Sequence, residues 1–138
     1  MPLSEYADLG IYHSMIDPVG FFAALADPFR LRCLALISAR GEVCVCQLTH
    51  ALDAPQPRVS KHLGVLRDAG ALVQRRAGQW MLYRIASLPD WATQVIAGAL
   101  ASIADEPRHH ADLRRIATAP DGPPPTISVR YLRHEANA

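Results

Sequence analysis

The chain has 138 residues, half of them apolar, with 14 basic and 13 acidic side chains and a net charge of +1. That length suits one domain with a real core. No apolar run reaches the ~18 residues of a membrane span, and the opening Met1-Pro2-Leu3-Ser4-Glu5 lacks the basic and apolar regions of a signal peptide. Three cysteines, two of them at i and i+2 where a regular helix would keep them from bridging, do not make a disulfide framework and favour a reducing, cytoplasmic setting.

The small net charge hides an asymmetry. Between Pro55 and Arg84 there are six basic residues, Arg58, Lys61, Arg67, Arg75, Arg76 and Arg84, and one acid, Asp68. That segment carries +5, so the rest of the chain carries −4. A basic island in an acidic chain is the footprint expected of a polyanion-binding surface.

Residues 1–17 are weakly patterned and read as an N-terminal arm. Asp17-Pro18 offers an N-cap followed by proline at the first helical position, and a short apolar helix follows through Phe21, Phe22 and Leu25. Asp27-Pro28 repeats the signal and opens a helix to about Ala39, stopped by Arg40-Gly41. Val43 suggests a very short strand. A helix from Cys44 to about Leu52 follows, with Val45, Leu48 and Leu52 as its buried stripe.

Asp53-Ala54-Pro55 is a turn, and the next helix runs from Gln56 or Pro57 to about Ala69, with Val59, Leu63 and Leu66 facing the core. Two extended runs, 71–75 and 80–85, flank the glycine-containing connection Arg76-Ala77-Gly78-Gln79 and predict a β-hairpin. A long apolar helix from about Leu88 to Ala104 and a last one from about Arg108 to Ala117 complete the domain, 18–118. Residues 119–138 form a tail rich in proline, in which Ile127, Val129 and Tyr131 alternate as in a short strand or docked arm. The expected fold is mainly α with a small β-hairpin: a dimeric winged helix-turn-helix whose second helix enters the major groove while the hairpin forms the wing.

Three stretches now carry a resemblance. They are Pro28-Phe29-Arg30-Leu31-Arg32, the Glu42-Val43-Cys44-Val45-Cys46-Gln47-Leu48 element, and the run from Val59-Ser60-Lys61-His62-Leu63 through Arg67-Asp68-Ala69-Gly70 to Val73. Together, over roughly residues 20–86, they resemble the ArsR/SmtB family of homodimeric, metal-responsive winged-helix repressors. The Cys-Val-Cys element is similar to that of the arsenite- and antimonite-responsive members. The resemblance implies a repressor that leaves its operator DNA when trivalent arsenic or antimony binds, with no organic cofactor and no catalysis. Two departures stand out. Thr49 occupies a position where such sensors often carry a further cysteine, and the helix from Asp90 through Ile103 holds no histidine for the zinc site of other members.

Cys44 and Cys46 are the expected metalloid ligands. Thiolates suit soft ions, and the first turn of a helix lowers a thiol's pKa. The bland alternative is a pair of small packing side chains. Cys33, between apolar neighbours, reads as a packing thiol, with a third-ligand role as the sharper alternative; His50 reads as solvated.

The DNA-binding candidates are Gln56, Arg58, Ser60, Lys61 and His62 on the reader helix and Arg75, Arg76 and Gln79 on the wing. Phe21, Phe22, Trp91, Val95, Ile96, Leu100 and Ile103 are more apolar surface than one small domain needs, and are the expected dimer interface. The alternatives are a thiol-redox repressor, in which Cys44 or Cys46 bonds Cys33 or a second subunit, and a soft divalent-metal sensor for cadmium or lead. A cysteine enzyme would need a base and an oxyanion site beside the thiol, and the sequence offers no such constellation.

Overall fold

The computed structural model describes residues 16–119. The arm before Ile16 and the tail beyond Ala119, with the extended segment expected around Ile127, Val129 and Tyr131, lie outside the described residues.

The first two helices start where their caps say. The Asp17 carboxylate accepts from the Gly20 amide at 2.9 Å, and α1 runs Pro18–Leu25. The Asp27 carboxylate accepts from the Arg30 amide, also at 2.9 Å, and α2 runs Pro28–Arg40. Each side chain satisfies an N–H that the helix leaves orphaned, and the following proline loses nothing at that position. Helix α2 is the central element. Cys33, Leu34, Leu36 and Ile37 on it are all buried in the one core cluster.

Next come β1 (Val43–Cys44), α3 (Val45–Leu52) and α4 (Gln56–Asp68), then β2 (Leu72–Ala77), β3 (Trp80–Ile85), α5 (Asp90–Ile103) and α6 (Pro107–Ala117). The buried stripe of α4 is Val59, Leu63 and Leu66, at the expected spacing. On α3 the buried residues are Leu48, Ala51 and Leu52, while Val45 is only partly covered.

The sheet is antiparallel with strand order β1-β3-β2. Ala77 pairs with Trp80, so the hairpin closes over Gly78-Gln79 alone, two residues tighter than the sequence suggests. Gly78 adopts φ 63°, a conformation that a two-residue hairpin turn demands and glycine supplies cheaply. The strand on the far side of β3 is β1, which pairs Val43 with Tyr83 and Cys44 with Leu82. The thiol segment is therefore the third strand of the wing sheet.

Helix α6 folds back over α3 and α2. Its buried Asp112 holds Arg32 of α2 in a two-pronged pair at 2.9 and 3.0 Å. Such a pair stabilises little relative to apolar packing, but losing one partner leaves a charge stranded.

Candidate thiol site and nucleic-acid interface

Cys44 and Cys46 are joined by a disulfide, with their Cα atoms 5.4 Å apart. This corrects the expectation that i, i+2 thiols here would not bridge. That expectation placed both cysteines inside a helix. Cys44 instead belongs to β1 and is the extended N-cap of α3, with φ −94° and ψ 163°. The turn from strand to helix swings the two side chains to one side. Cys44 is 1% exposed and Cys46 is half-buried.

The surroundings of the pair are polar and local. The Cys44 amide donates to the Gln47 side-chain oxygen at 3.0 Å, the glutamine half of an arrangement common at helix starts. Thr49, where a further thiol was a reasonable expectation, donates its hydroxyl to the Cys46 carbonyl at 2.7 Å. Thr49 thus braces the first turn of α3.

Cys33 lies in the hydrophobic core with no exposed surface. Burial pushes its thiol up to about 12, so at neutral pH it is protonated and a poor ligand. Among the described residues no group of three or more His, Cys, Asp or Glu side chains is assembled to hold a metal ion.

Of the residues expected to read DNA, Gln56, Arg58 and Lys61 are exposed, and Ser60 and His62 are half-buried on the same helix. Phe29, at the start of α2, organises two of them. The Arg58 guanidinium lies 4.2 Å from its ring centroid and the His62 ring 4.9 Å away. Sequence reasoning did not find Phe29's part. Its position beside Asp27-Pro28 marks it as a helix start and says nothing of α4.

Arg30 joins the same cluster. Its guanidinium donates to the carbonyls of Ala23 and Ala24 at the end of α1 and meets His62 Nδ1 at 3.2 Å. Burial and the charges of Arg30, Arg58 and Lys61 hold the His62 pKa below its ordinary value, against the pull of Asp27. Burial works to raise the Asp27 pKa, but the Arg30 amide and the charges of Arg30 and His62 outweigh it and hold the carboxyl below its ordinary value.

On the wing, Arg76 and Gln79 are exposed. Arg75 is not a plain solvent-facing cation: its guanidinium grips both carboxylate oxygens of Glu42, at 2.7 and 2.9 Å, and the Glu42 side chain is buried. Its first role is to tie β2 to the segment leading into β1. Helix α4 and the wing are joined as well, through Arg67 and Gln74 at 3.2 Å.

The expected interface residues divide. Phe21 has no exposed surface and Ile96 is buried, so both are spent in the monomer's own core and are withdrawn from the interface. Phe22 and Trp91 are exposed by 51% and 37%, beside Val19 at 76%. Trp91 packs edge-on against Phe21 and lies 6.3 Å from Phe22, which makes an apolar patch across α1 and the start of α5. Val95, Leu100 and Ile103 are half-buried farther along α5.

Comparison with known proteins agrees with this architecture. Residues 27–73 match the bacterial regulatory protein, arsR family. The arsenic resistance transcriptional regulator ArsR1 of Pseudomonas putida is 44% identical over 92 residues, covering 66% of this chain and 72% of that protein. The arsenical resistance operon repressor of Escherichia coli K12 is 44% identical over 84 residues, covering 60% and 72%.

Among solved structures, the AntR antimony-specific transcriptional repressor aligns over 63% of this chain and 77% of its own, with TM-score 0.53 and 30% identity. The homodimeric winged helix-turn-helix DNA-binding domain Mb0332 of Mycobacterium bovis aligns over 78% and 86%, with TM-score 0.51 and 27% identity. No helix among the described residues is long and apolar enough to cross a membrane. The chain belongs to the arsR family of bacterial regulatory proteins: it is a winged helix-turn-helix transcriptional regulator, not an enzyme.

Proposed function

We propose that this protein is a cytoplasmic, homodimeric repressor that leaves its operator when trivalent arsenic, or antimony, is captured by Cys44 and Cys46. One observation carries the reading: the two sulfurs converge at the junction of β1 and α3, where the wing sheet and the helix-turn-helix meet. A ligand there touches both DNA-facing parts at their shared root. The family's arsenic- and antimony-responsive relatives support the choice of a soft, thiol-seeking inducer.

The chemistry starts from the reduced pair. A dithiol reductant opens the disulfide by thiol exchange, giving up two electrons and two protons as it closes its own disulfide and leaving Cys44 and Cys46 as two thiols. Arsenous acid then exchanges two of its hydroxyl groups for the two sulfurs and releases two waters. Its third hydroxyl stays on arsenic or yields to a small external thiol. Cys33, protonated and buried in the core, is dispensable in this scheme.

The DNA side uses Gln56, Arg58, Ser60, Lys61 and His62 in the major groove, with Arg76 and Gln79 at the wing and Arg75 behind them. The patch of Val19, Phe22 and Trp91, continued by Val95, Leu100 and Ile103, is the surface that a second copy would cover. A two-fold dimer would set two reader helices on a pseudo-palindromic site.

The test is operator release, read by fluorescence anisotropy on reduced protein titrated with arsenite and with antimonite. Wild type releases, while Cys44→Ser and Cys46→Ser stay bound and Cys33→Ala behaves as wild type. A Cys44→Ser protein that responds at wild-type concentrations sinks the paired-thiolate mechanism. The disulfide itself favours a second reading, a thiol-redox repressor in which loss of two electrons and two protons closes the pair. Release by a peroxide, with no response of the reduced protein to arsenite, would select it.

A further inference from the structure

The thiol pair lies in the same sheet as the wing, and the register makes the connection specific. Cys44 of β1 and Arg75 of β2 both pair with Leu82 of β3, from opposite sides. Cys44, Leu82 and Arg75 thus form one row across the sheet. Two residues before Cys44, Glu42 reaches over that row and clasps Arg75 with both carboxylate oxygens, at 2.7 and 2.9 Å. The Glu42 side chain is buried, so the pair is poorly screened by solvent and its planar two-pronged geometry resists sliding. The next row outward holds Arg76 opposite Met81, and the turn follows at Ala77 and Trp80.

We propose that the wing is a second route from the thiol pair to DNA, alongside α3, and that Glu42 is its positioning residue. The inference rests on the proposed capture of arsenic at Cys44 and Cys46. Binding there reshapes the strand-to-helix junction. Strand β1 cannot shift relative to β2 while the Glu42–Arg75 clasp holds, so the hairpin moves with it and carries Arg76 and Gln79 away from the DNA. Without the clasp only the two-residue ladder to β3 links β1 to the hairpin, and the event reaches DNA mainly through α3. Glu42 touches neither metalloid nor DNA in this scheme. Its removal changes the coupling between the two binding events and spares each event by itself.

The experiment measures three quantities on the reduced, full-length chain: arsenite affinity, operator affinity without arsenite, and the ratio of operator affinities with and without it. In Glu42→Gln the first two should stay within about threefold of wild type, while the ratio falls about tenfold, inside the usual range of allosteric coupling. Glu42→Asp keeps a carboxylate for Arg75 and should restore most of the ratio.

Hydrogen exchange on wild type supplies a measurement that needs no variant. Arsenite should change the protection of β2 and β3 amides as well as those of α3. Undiminished coupling in a folded Glu42→Gln protein, or exchange changes confined to α3, overturns the wing route. A wild type that never releases DNA with arsenite overturns the functional reading and this inference with it. A wild type that releases while Glu42→Gln releases equally removes only the latter.

Discussion

Helix α4 rests on Val59, Leu63 and Leu66, none of which has any exposed surface, whereas α3, a helix of 8 residues, adds to its buried Leu48, Ala51 and Leu52 a set of polar pins at both ends. At its start the pins are Gln47 on the Cys44 amide and Thr49 on the Cys46 carbonyl. At its finish Arg115 of α6 donates to the carbonyls of His50 and Ala51 at 2.8 and 2.9 Å. Apolar burial is insensitive to small chemical events, while a few hydrogen bonds worth about 1 kcal/mol each can be exchanged for a ligand's bonds. Helix α4, the proposed reader, is thus a fixed surface and its neighbour an adjustable support. A responsive regulator needs that division: a helix that keeps its shape against DNA and a hinge beside it whose geometry a ligand can rewrite.

The comparison breaks first at Leu63. Leu63→Ala opens a cavity under α4 and should cost about 3 kcal/mol in denaturant unfolding. A loss below ~1 kcal/mol would mean that α4 is not the apolar-anchored element. The reader's outer face should give the next largest effect, with the fold untouched. Arg58→Ala should weaken operator binding about tenfold or more if it reads a base edge, and Lys61→Ala should lower the slope of affinity against salt by about one. If both variants bind as wild type, α4 is not the reader. Arg115→Ala removes the far pin of α3. Because that arginine is partly solvated, the stability cost should be only about 1 kcal/mol. The sharper readout is faster amide exchange in α3 with α4 unchanged, and equal acceleration in both helices would deny the contrast.

Much of the reader half could be read in the chain itself. Asp17 and Asp27 announce their helices because capping is a contact between residues three apart, and the α4 stripe follows from helical period alone. The thiol half could not, because its defining contacts are long-range. Cys44 is strand rather than helix only because β3 arrives beside it, and the extended cap in turn lets the cysteines meet. Glu42 finds Arg75 33 residues away, and Arg32 finds Asp112 80 residues away. Phe21 and Ile96, expected at the interface, lie in the monomer's own core for a related reason. An apolar residue on an amphipathic helix declares that it will be covered, not whether its own chain or a second copy does the covering.

The finest test of the contrast is pH, through His62, which together with Arg58 packs against Phe29 at the start of α2. Burial of its ring, packed at a tilt against Phe29, lowers its pKa most; Arg30, which it meets, and Arg58 and Lys61 add positive charge nearby, with Asp27 alone opposing. The folded protein therefore holds His62 below its ordinary pKa, so the unfolded chain binds the proton more readily. The resulting stability is complete above the unfolded value of about 6.5 and is lost as pH falls through it toward the folded value. Asp27 has the same sign, but its loss begins only near the ordinary carboxylate pKa of about 4, so a scan from about pH 7.5 to about pH 5.5 leaves it constant. Over that scan wild type should lose more thermal stability than His62→Gln. The other histidines are common to both proteins and cancel in the difference. Parallel curves, or a wild type that gains on acidification, would show that the Arg30–Phe29 cluster does not hold His62 in its neutral form.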